Sequence, residues 1–350
     1  MEDIRIVQAS GRDNANMIRT QKIHAKLVML GLKNTPLVLF VLIFIIFGIV
    51  SPKFFQYQSL ENAIKQASYI GIVAVGMTFV LLTAGIDLSV GSNMYLSAAA
   101  AGLMINHFSI SPWLALIICL LVGLGFGMVN AIIVTRFGVI PFVATLSTMV
   151  AGRGFGLMLT KSRAVNFPAS VTGIGAMEIF GFIPCPVFIF AIVVLCVWIF
   201  LNRTVPGRQI YAVGHDREAA RKAGINTKSV LGVAYIFCGL FAALGGFISV
   251  AQLGNVNAGF GKGDEFDAIA AAVLGGVSLF GGVGSVFPGV VIGAVLIQMV
   301  SAGLVAAKID LYLHPIVAAA IIFIAVLIDS FKNVQIKKLE RRNIRIEESL

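Results

Sequence analysis

Asp87 is the residue whose chemistry needs explaining first. It stands in LTAGIDLSVGS (82–92), a single carboxylate among apolar, small and hydroxylated residues. At membrane depth a carboxylate can carry a proton, hold a solute or cap a helix, and each use implies different company. A proton relay needs further titratable groups at depth. Here Glu61, Glu178, Asp264, Glu265, Asp267, Asp310 and Asp329 fall near the ends of apolar runs, and His24, His107, His215 and His314 outside their centres. A cap needs only a helical run directly after it, where the carboxylate accepts the free N–H groups of the first turn, and such a run follows. Ser89, Ser92 and Asn93 then share one helical face, and a polar face within a span points to the bundle interior or to a water-filled path. A cap and a path wall are compatible.

Other reactive sets are missing from the sequence. No Ser/His/Asp grouping, HExxH or His/Cys cluster points to an enzyme or a metal site, and Cys119, Cys185, Cys196 and Cys238 are scattered without CxxC spacing. No GxxxxGK[ST] occurs, and GGVGS (281–285) lacks the lysine of a phosphate loop, so the chain is expected not to hydrolyse ATP alone. Arg153, Asn130, Gln252, Gln298 and Thr145 are further polar residues within apolar runs. Arg153 can snorkel to an interface or line a path.

The elements that must position these groups are membrane helices. The 350 residues are 58% hydrophobic and 12% charged, against about 25% charged in an ordinary soluble domain. At about 20 residues per crossing, the apolar runs predict ten spans, at 35–51, 62–83, 88–106, 112–135, 141–160, 186–202, 229–252, 267–281, 286–304 and 311–330. Ser51-Pro52, Ser111-Pro112 and Pro141 punctuate their ends. The formal charge is +10, and of 26 Lys and Arg, six lie in 1–34, six in 202–228 and six in 331–350. The positive-inside tendency puts all three blocks in the cytoplasm, which an even span count satisfies. The expected organisation is a polar N-terminal tail (1–34), a membrane domain (35–330) with a cytoplasmic loop at 203–228, and a basic C-terminal tail (331–350), with no leader peptide. The basic residues are not interleaved with aromatics on a soluble domain, so nucleic acid is not an expected partner.

Glycines such as Gly123, Gly125, Gly127, Gly239, Gly245 and Gly246 suit close helix packing in lipid. VLLTAGIDLSVGS (80–92) is echoed by AVLGGVSLFGGVGS (272–285), and interrupted, glycine-rich segments in corresponding places point to a transport path. By span parity the two echoes run in the same direction, unlike an inverted repeat. In the cytoplasmic loop, Asp216 can cap a short helix over Arg217–Ala223, with Glu218 at its positive end, Arg221 and Lys222 at its negative end and Gly224 as its stop. So well-punctuated a helix suits docking of a partner.

Four ordered blocks, 71–92, 127–154, 206–225 and 264–285, closely resemble the permease subunits of bacterial ABC importers of the ribose, xylose and galactose type. The resemblance runs from about 35 to 330. It implies an all-α membrane fold of about ten helices, a second permease subunit, a cytoplasmic ABC ATPase that binds the ATP and Mg, an external sugar-binding protein, and a place in the bacterial inner membrane with both termini cytoplasmic. It matches Asp216, Arg217, Glu218, Ala219, Ala220, Arg221 and Gly224 to the helix that docks on the ATPase, although His215-Asp216 stands where the family commonly has Gly-Asn. The expected path walls are Asp87, Ser89, Ser92 and Asn93 with Ser278 and Ser285 of the echo. The alternatives are an ion-coupled secondary transporter of a small polar solute and a membrane enzyme.

Overall fold

A computed structural model describes residues 35–310 and, beyond them, 312–313, 315–317, 319–320, 323–324 and 327. The tails 1–34 and 331–350 and much of the tenth expected span lie outside the described residues. Helix α1 (Thr35–Val50) ends at Ser51-Pro52, where the proline opens a short 3-10 turn, and α2 (Tyr57–Leu82) follows. Next come α3 (Val90–Phe108), α4 (Pro112–Thr135) and α5 (Pro141–Thr160). Ser111 caps α4, its hydroxyl accepting from the Leu114 N–H at 3.3 Å. After a short α6 (Ala169–Ala176) come α7 (Cys185–Arg203), α8 (Val205–His215), α9 (Arg217–Lys222), α10 (Thr227–Leu253), α11 (Asp264–Leu274) and α12 (Val291–Ala306).

Six described helical stretches are long and apolar enough to cross a membrane: α2, α4, α5, α7, α10 and 286–306, which ends in α12. Helices α1 and α3 lie at two more of the expected spans. The eighth expected span, 267–281, is different in kind. Helix α11 has 11 residues, about 16 Å, and stops at Leu274, so it cannot cross a hydrocarbon core of about 30 Å. The apolar run misleads because Leu274 is followed by Gly275 and Gly276, and Gly276 takes φ +90°, a conformation that ends a helix.

Helices α2 and α10 form the centre. Residues 70–82 of α2 are buried without a break, and α10 packs against α2, α3 and α4. Phe79 of α2 stacks on Phe237 of α10 at 5.0 Å between ring centroids, and Phe200 of α7 meets Phe237 edge-on at 5.4 Å. A close, glycine-lined crossing is α4 on α10. A Cβ on Gly239 would lie 2.5 Å from the Gly123 carbonyl oxygen and 2.7 Å from the Gly127 Cα, whereas Gly125 faces open space. Large apolar side chains such as Trp113, Leu121, Val150 and Leu195 point outward from α4, α5 and α7, as lipid contact requires. Across the bundle, Val165–Asn166 pairs antiparallel with Asn255–Val256.

The sequence echo is a structural repeat at its first half. Helix α2 closes with Ala84 N–H donating to Leu81 C=O (2.9 Å) and Gly85 N–H to Val80 C=O (3.0 Å). Helix α11 closes with Gly276 N–H donating to Val273 C=O (2.8 Å) and Val277 N–H to Ala272 C=O (3.0 Å). Both are Schellman closures with a positive φ at the equivalent residue, +59° at Ala84 and +90° at Gly276. The α4–α10 contact gives a direct test. Gly239→Val should destabilise the chain by about 1–3 kcal/mol, read as a lowered thermal unfolding midpoint in detergent, while Gly125→Val should leave the midpoint unchanged.

Candidate functional site

The break after α2 is held by a chain of polar side chains. Asp87 Oδ1 accepts the Ser89 backbone N–H at 2.9 Å and the Ser89 hydroxyl at 2.5 Å. Asn130 of α4 donates to Ser89 Oγ at 2.7 Å and reaches Asp87 Oδ2 at 3.5 Å, and Thr148 of α5 donates to Asn130 Oδ1 at 2.6 Å. Asp87, Ser89, Asn130 and Thr148 are all buried. The chain therefore ties α4 and α5 to the turn from which α3 starts, satisfying the backbone that a helix start leaves free. The capping bond expected of Asp87 is present. Asp87 Oδ1 accepts the N–H two residues on, as a cap does, although the regular bonding of α3 begins only after Ser89, which already takes helical φ/ψ and makes no side-chain cap bond.

Ser92 and Asn93 point into the bundle, as a polar face in a span should. Ser92 Oγ donates to Met149 C=O at 2.7 Å, and Asn93 Nδ2 donates to Gly239 C=O at 2.9 Å and Gly123 C=O at 3.3 Å. Those carbonyls sit at the α4–α10 crossing, so Asn93 reads the same contact that the glycines make. Asn93 Oδ1 and the Tyr235 hydroxyl are buried without a partner among the described residues. In this conformation all four polar residues of the first break are closed inside the chain.

The second break is more open. Ser278 N–H donates to Val283 C=O at 2.8 Å and Ser278 Oγ accepts the Phe280 N–H at 3.1 Å. Ser285 Oγ donates to Phe287 C=O. Both serines are half-buried, and each serves a local turn. The two breaks meet: Gly282 N–H donates to the Leu82 carbonyl at 2.9 Å.

Helix α8 joins them. A Cβ on Gly214 would overlap the Leu82 carbonyl oxygen and lie 2.6 Å from the Gly282 nitrogen, while one on Gly281 would lie 2.7 Å from the Gly214 carbonyl and 2.9 Å from Ala84. The Tyr211 hydroxyl donates to Gly284 C=O at 3.1 Å. One end of α8 thus touches the stop of α2 and the loop after α11 together. Directly after it, Asp216 caps α9, its Oδ1 accepting from Glu218 N–H (2.8 Å) and Ala219 N–H (2.9 Å). Gly224 at φ +84° ends the turn. Glu218 lies 3.6 Å from both Arg221 and Lys222, exposed pairs that add little stability. Asp216, Arg217, Glu218, Ala219, Arg221 and Gly224 are exposed, and Ala220 is buried against the bundle side.

Sequence reasoning found α9 and its cap and the break after α2, and named Asn130 as a polar residue within a span; it noticed the echo at 272–285 but ran the eighth span through it, and it missed α8, Tyr211 and Gly214. The signal for α8 was present: Thr204 Oγ1 accepts the Gly207 N–H at 3.2 Å, with Pro206 in the first turn. Arg153, half-buried, donates to Phe260 C=O at 2.6 Å and lies 5.1 Å from the centroid of the Tyr95 ring. It clamps the loop before α11 rather than snorkelling free.

Membrane-length helices around two glycine-rich breaks, with a short capped helix linked to both, are the architecture of a membrane permease. The chain belongs to the family described as branched-chain amino acid transport system / permease component, whose model matches residues 59–326. It is similar to the ribose import permease protein RbsC of Escherichia coli strain K12, at 38% identity over 309 residues, 86% of this chain and 94% of that protein. It is 34% identical to the fructose import permease protein FrcC of Rhizobium meliloti over 305 residues, 85% and 84% of the two chains. It is 32% identical to the autoinducer 2 import system permease protein LsrC of Yersinia enterocolitica over 315 residues, 89% and 85%. No solved structure matches the chain.

Two substitutions probe this geometry. Asp87→Asn keeps an acceptor oxygen for Ser89 and should keep both fold and transport, whereas Asp87→Ala strands buried donors at a cost of about 1–3 kcal/mol. Thermal unfolding and uptake, measured side by side, check both. Gly214→Val has no room beside Leu82 and should separate α8 from the breaks. The expected reading is strongly reduced uptake with the chain still present in the membrane.

Proposed function

We propose that this chain is the membrane subunit of an ATP-driven importer of a monosaccharide-class solute. The observation that carries the reading is the junction at Gly214, which gives a segment outside the spans a direct mechanical hold on both helix breaks. The relatives named for ribose, fructose and autoinducer 2 import support the solute class. With no phosphate loop in the sequence, the energy comes from a separate cytoplasmic ABC ATPase that binds ATP and Mg and docks on 216–224. An external binding protein delivers the solute, and a second permease subunit, identical or related, completes the path. On this reading the cytoplasmic side holds both termini and the loop 203–228, in the inner membrane.

The mechanism follows from the contacts. ATP binding draws the ATPase pair together and displaces α9, α8 moves with it, and the Leu82 and Gly281–Gly282 segments shift as one. Residues Asp87, Ser89, Ser92 and Asn93, with Ser278 and Ser285, border the moving segments and come to line the path as those segments part. Hydrolysis reverses the motion.

Vesicles holding the chain with its ATPase and binding protein should take up ribose or fructose only when ATP is supplied. Glu218→Arg, which reverses the charge at the start of α9, and Gly224→Pro, which disrupts its stop, should each lower uptake by about tenfold or more while ATP hydrolysis continues. That factor corresponds to about 1.4 kcal/mol of lost coupling. Uptake driven by an ion gradient without ATPase would overturn the proposal.

A further inference from the structure

Gln298 is left without work by everything above. It lies in the apolar α12, is 4% exposed, and makes no hydrogen bond among the described residues. Its side chain borders a pocket of about 420 Å³ between the first half of α2 and the last half of α12. Such a volume is in the range of small-molecule sites, about 300–1,000 Å³. Ser59, Asn62 and Gln66 of α2 share one helical face and border the same pocket, with Ser301 of α12 beside Gln298. Lys53 and Lys308 stand exposed at its rim, and no carboxylate lines it among the described residues.

The chemistry of its lining decides what such a pocket takes. Polar side chains on facing surfaces of two membrane helices point to a water-filled cavity or a ligand, because lipid gives them no partner. Amides and hydroxyls both donate and accept, which matches hydroxyl groups that also do both. An anion accepts only, and would meet the Gln298 carbonyl oxygen with nothing to offer it. Lys53 and Lys308 stand at the solvent-exposed rim, whereas Gln298, the deeply buried polar group of the lining, is a neutral amide and sets the chemistry of the pocket floor. The pocket also lies at the end of α2 opposite Leu82, about 24 Å or more along the helix from the junction with α8. A solute arriving from the face away from α9 meets it first.

We propose that the pocket between α2 and α12 is a binding site for a small hydroxyl-rich solute, held by Gln298, Asn62, Gln66, Ser59 and Ser301 through its hydroxyl groups. The solute class rests on the import reading above, while the site itself rests on the pocket and on Gln298.

Saturation-transfer NMR on the full chain in detergent, with D-ribose and D-fructose as probes and glycerol 3-phosphate as a headgroup analogue, tests it. The expected result is transfer to the ring protons of at least one sugar, with binding about tenfold weaker in Gln298→Leu and weakened in Asn62→Leu. Asn62 is exposed, so that variant folds as the parent does and keeps its thermal unfolding midpoint. Absence of transfer to either sugar from the parent chain, transfer equal in parent and both variants, or transfer to glycerol 3-phosphate alone would each overturn the proposal. Sugar binding that depends on Gln298, in a chain whose assembled transporter imports neither sugar, supports the pocket and refutes the import reading.

Discussion

A helix that starts or stops within a membrane bundle must find partners for its backbone inside the protein, since hydrocarbon supplies none. The architecture of this permease depends on meeting that constraint twice. Helix α11 ends after 11 residues in a closure that returns two N–H groups to its last turn. The same closure ends α2, and the seven residues to α3 are then held by Asp87, Ser89 and Asn130. Breaks satisfied by short local bonds can shift as units, because moving one does not expose unpaired groups to lipid. This makes them suitable moving parts.

The close approaches around them point the same way. Gly214, Gly281 and Gly282 bring three backbone segments into contact with no side chain between them. A side chain in such a contact can change rotamer and absorb a displacement, whereas backbone against backbone cannot. The junction is therefore stiff where stiffness transmits motion. The Tyr211 hydroxyl adds a second point of contact to the loop at Gly284, and two points define an orientation where one defines only a position.

Most of the architecture was legible in the sequence because it is written in apolar length and punctuation. Ser111-Pro112, Ser51-Pro52 and Asp216 with Gly224 each mark an end that the structure keeps. The eighth span misled because hydropathy measures how apolar a run is and says nothing of φ at Gly276. Asp87 was easier: a carboxylate directly before a helical run accepts a free N–H of its first turn, and its bond to the Ser89 N–H does so. Tyr211 and Gly214 were invisible for a deeper reason. Their importance lies in contacts with Gly284, Leu82 and Gly282, which are about 70 to 130 residues away, and no local pattern encodes a partner at that distance. The echo at 80–92 and 272–285 was the exception, because repetition carries long-range information in a sequence.

The division between the buried knot and the open amide pocket has a functional logic. Asp87, Ser89, Asn130 and Thr148 are satisfied by one another, so a solute can bond to those four only by displacing internal hydrogen bonds, which opposes tight binding there. Gln298 and Asn62 have no such internal competition. A transport path needs binding favourable enough to admit a solute and weak enough to release it, and on the proposed mechanism a staggered pair of this kind would provide both, with an accessible site at one end and a reluctant one further in. On the proposed mechanism the carboxylate at Asp87 needs no proton chemistry to matter: its hold on Ser89 would keep the inner end of the path closed until α8 moves.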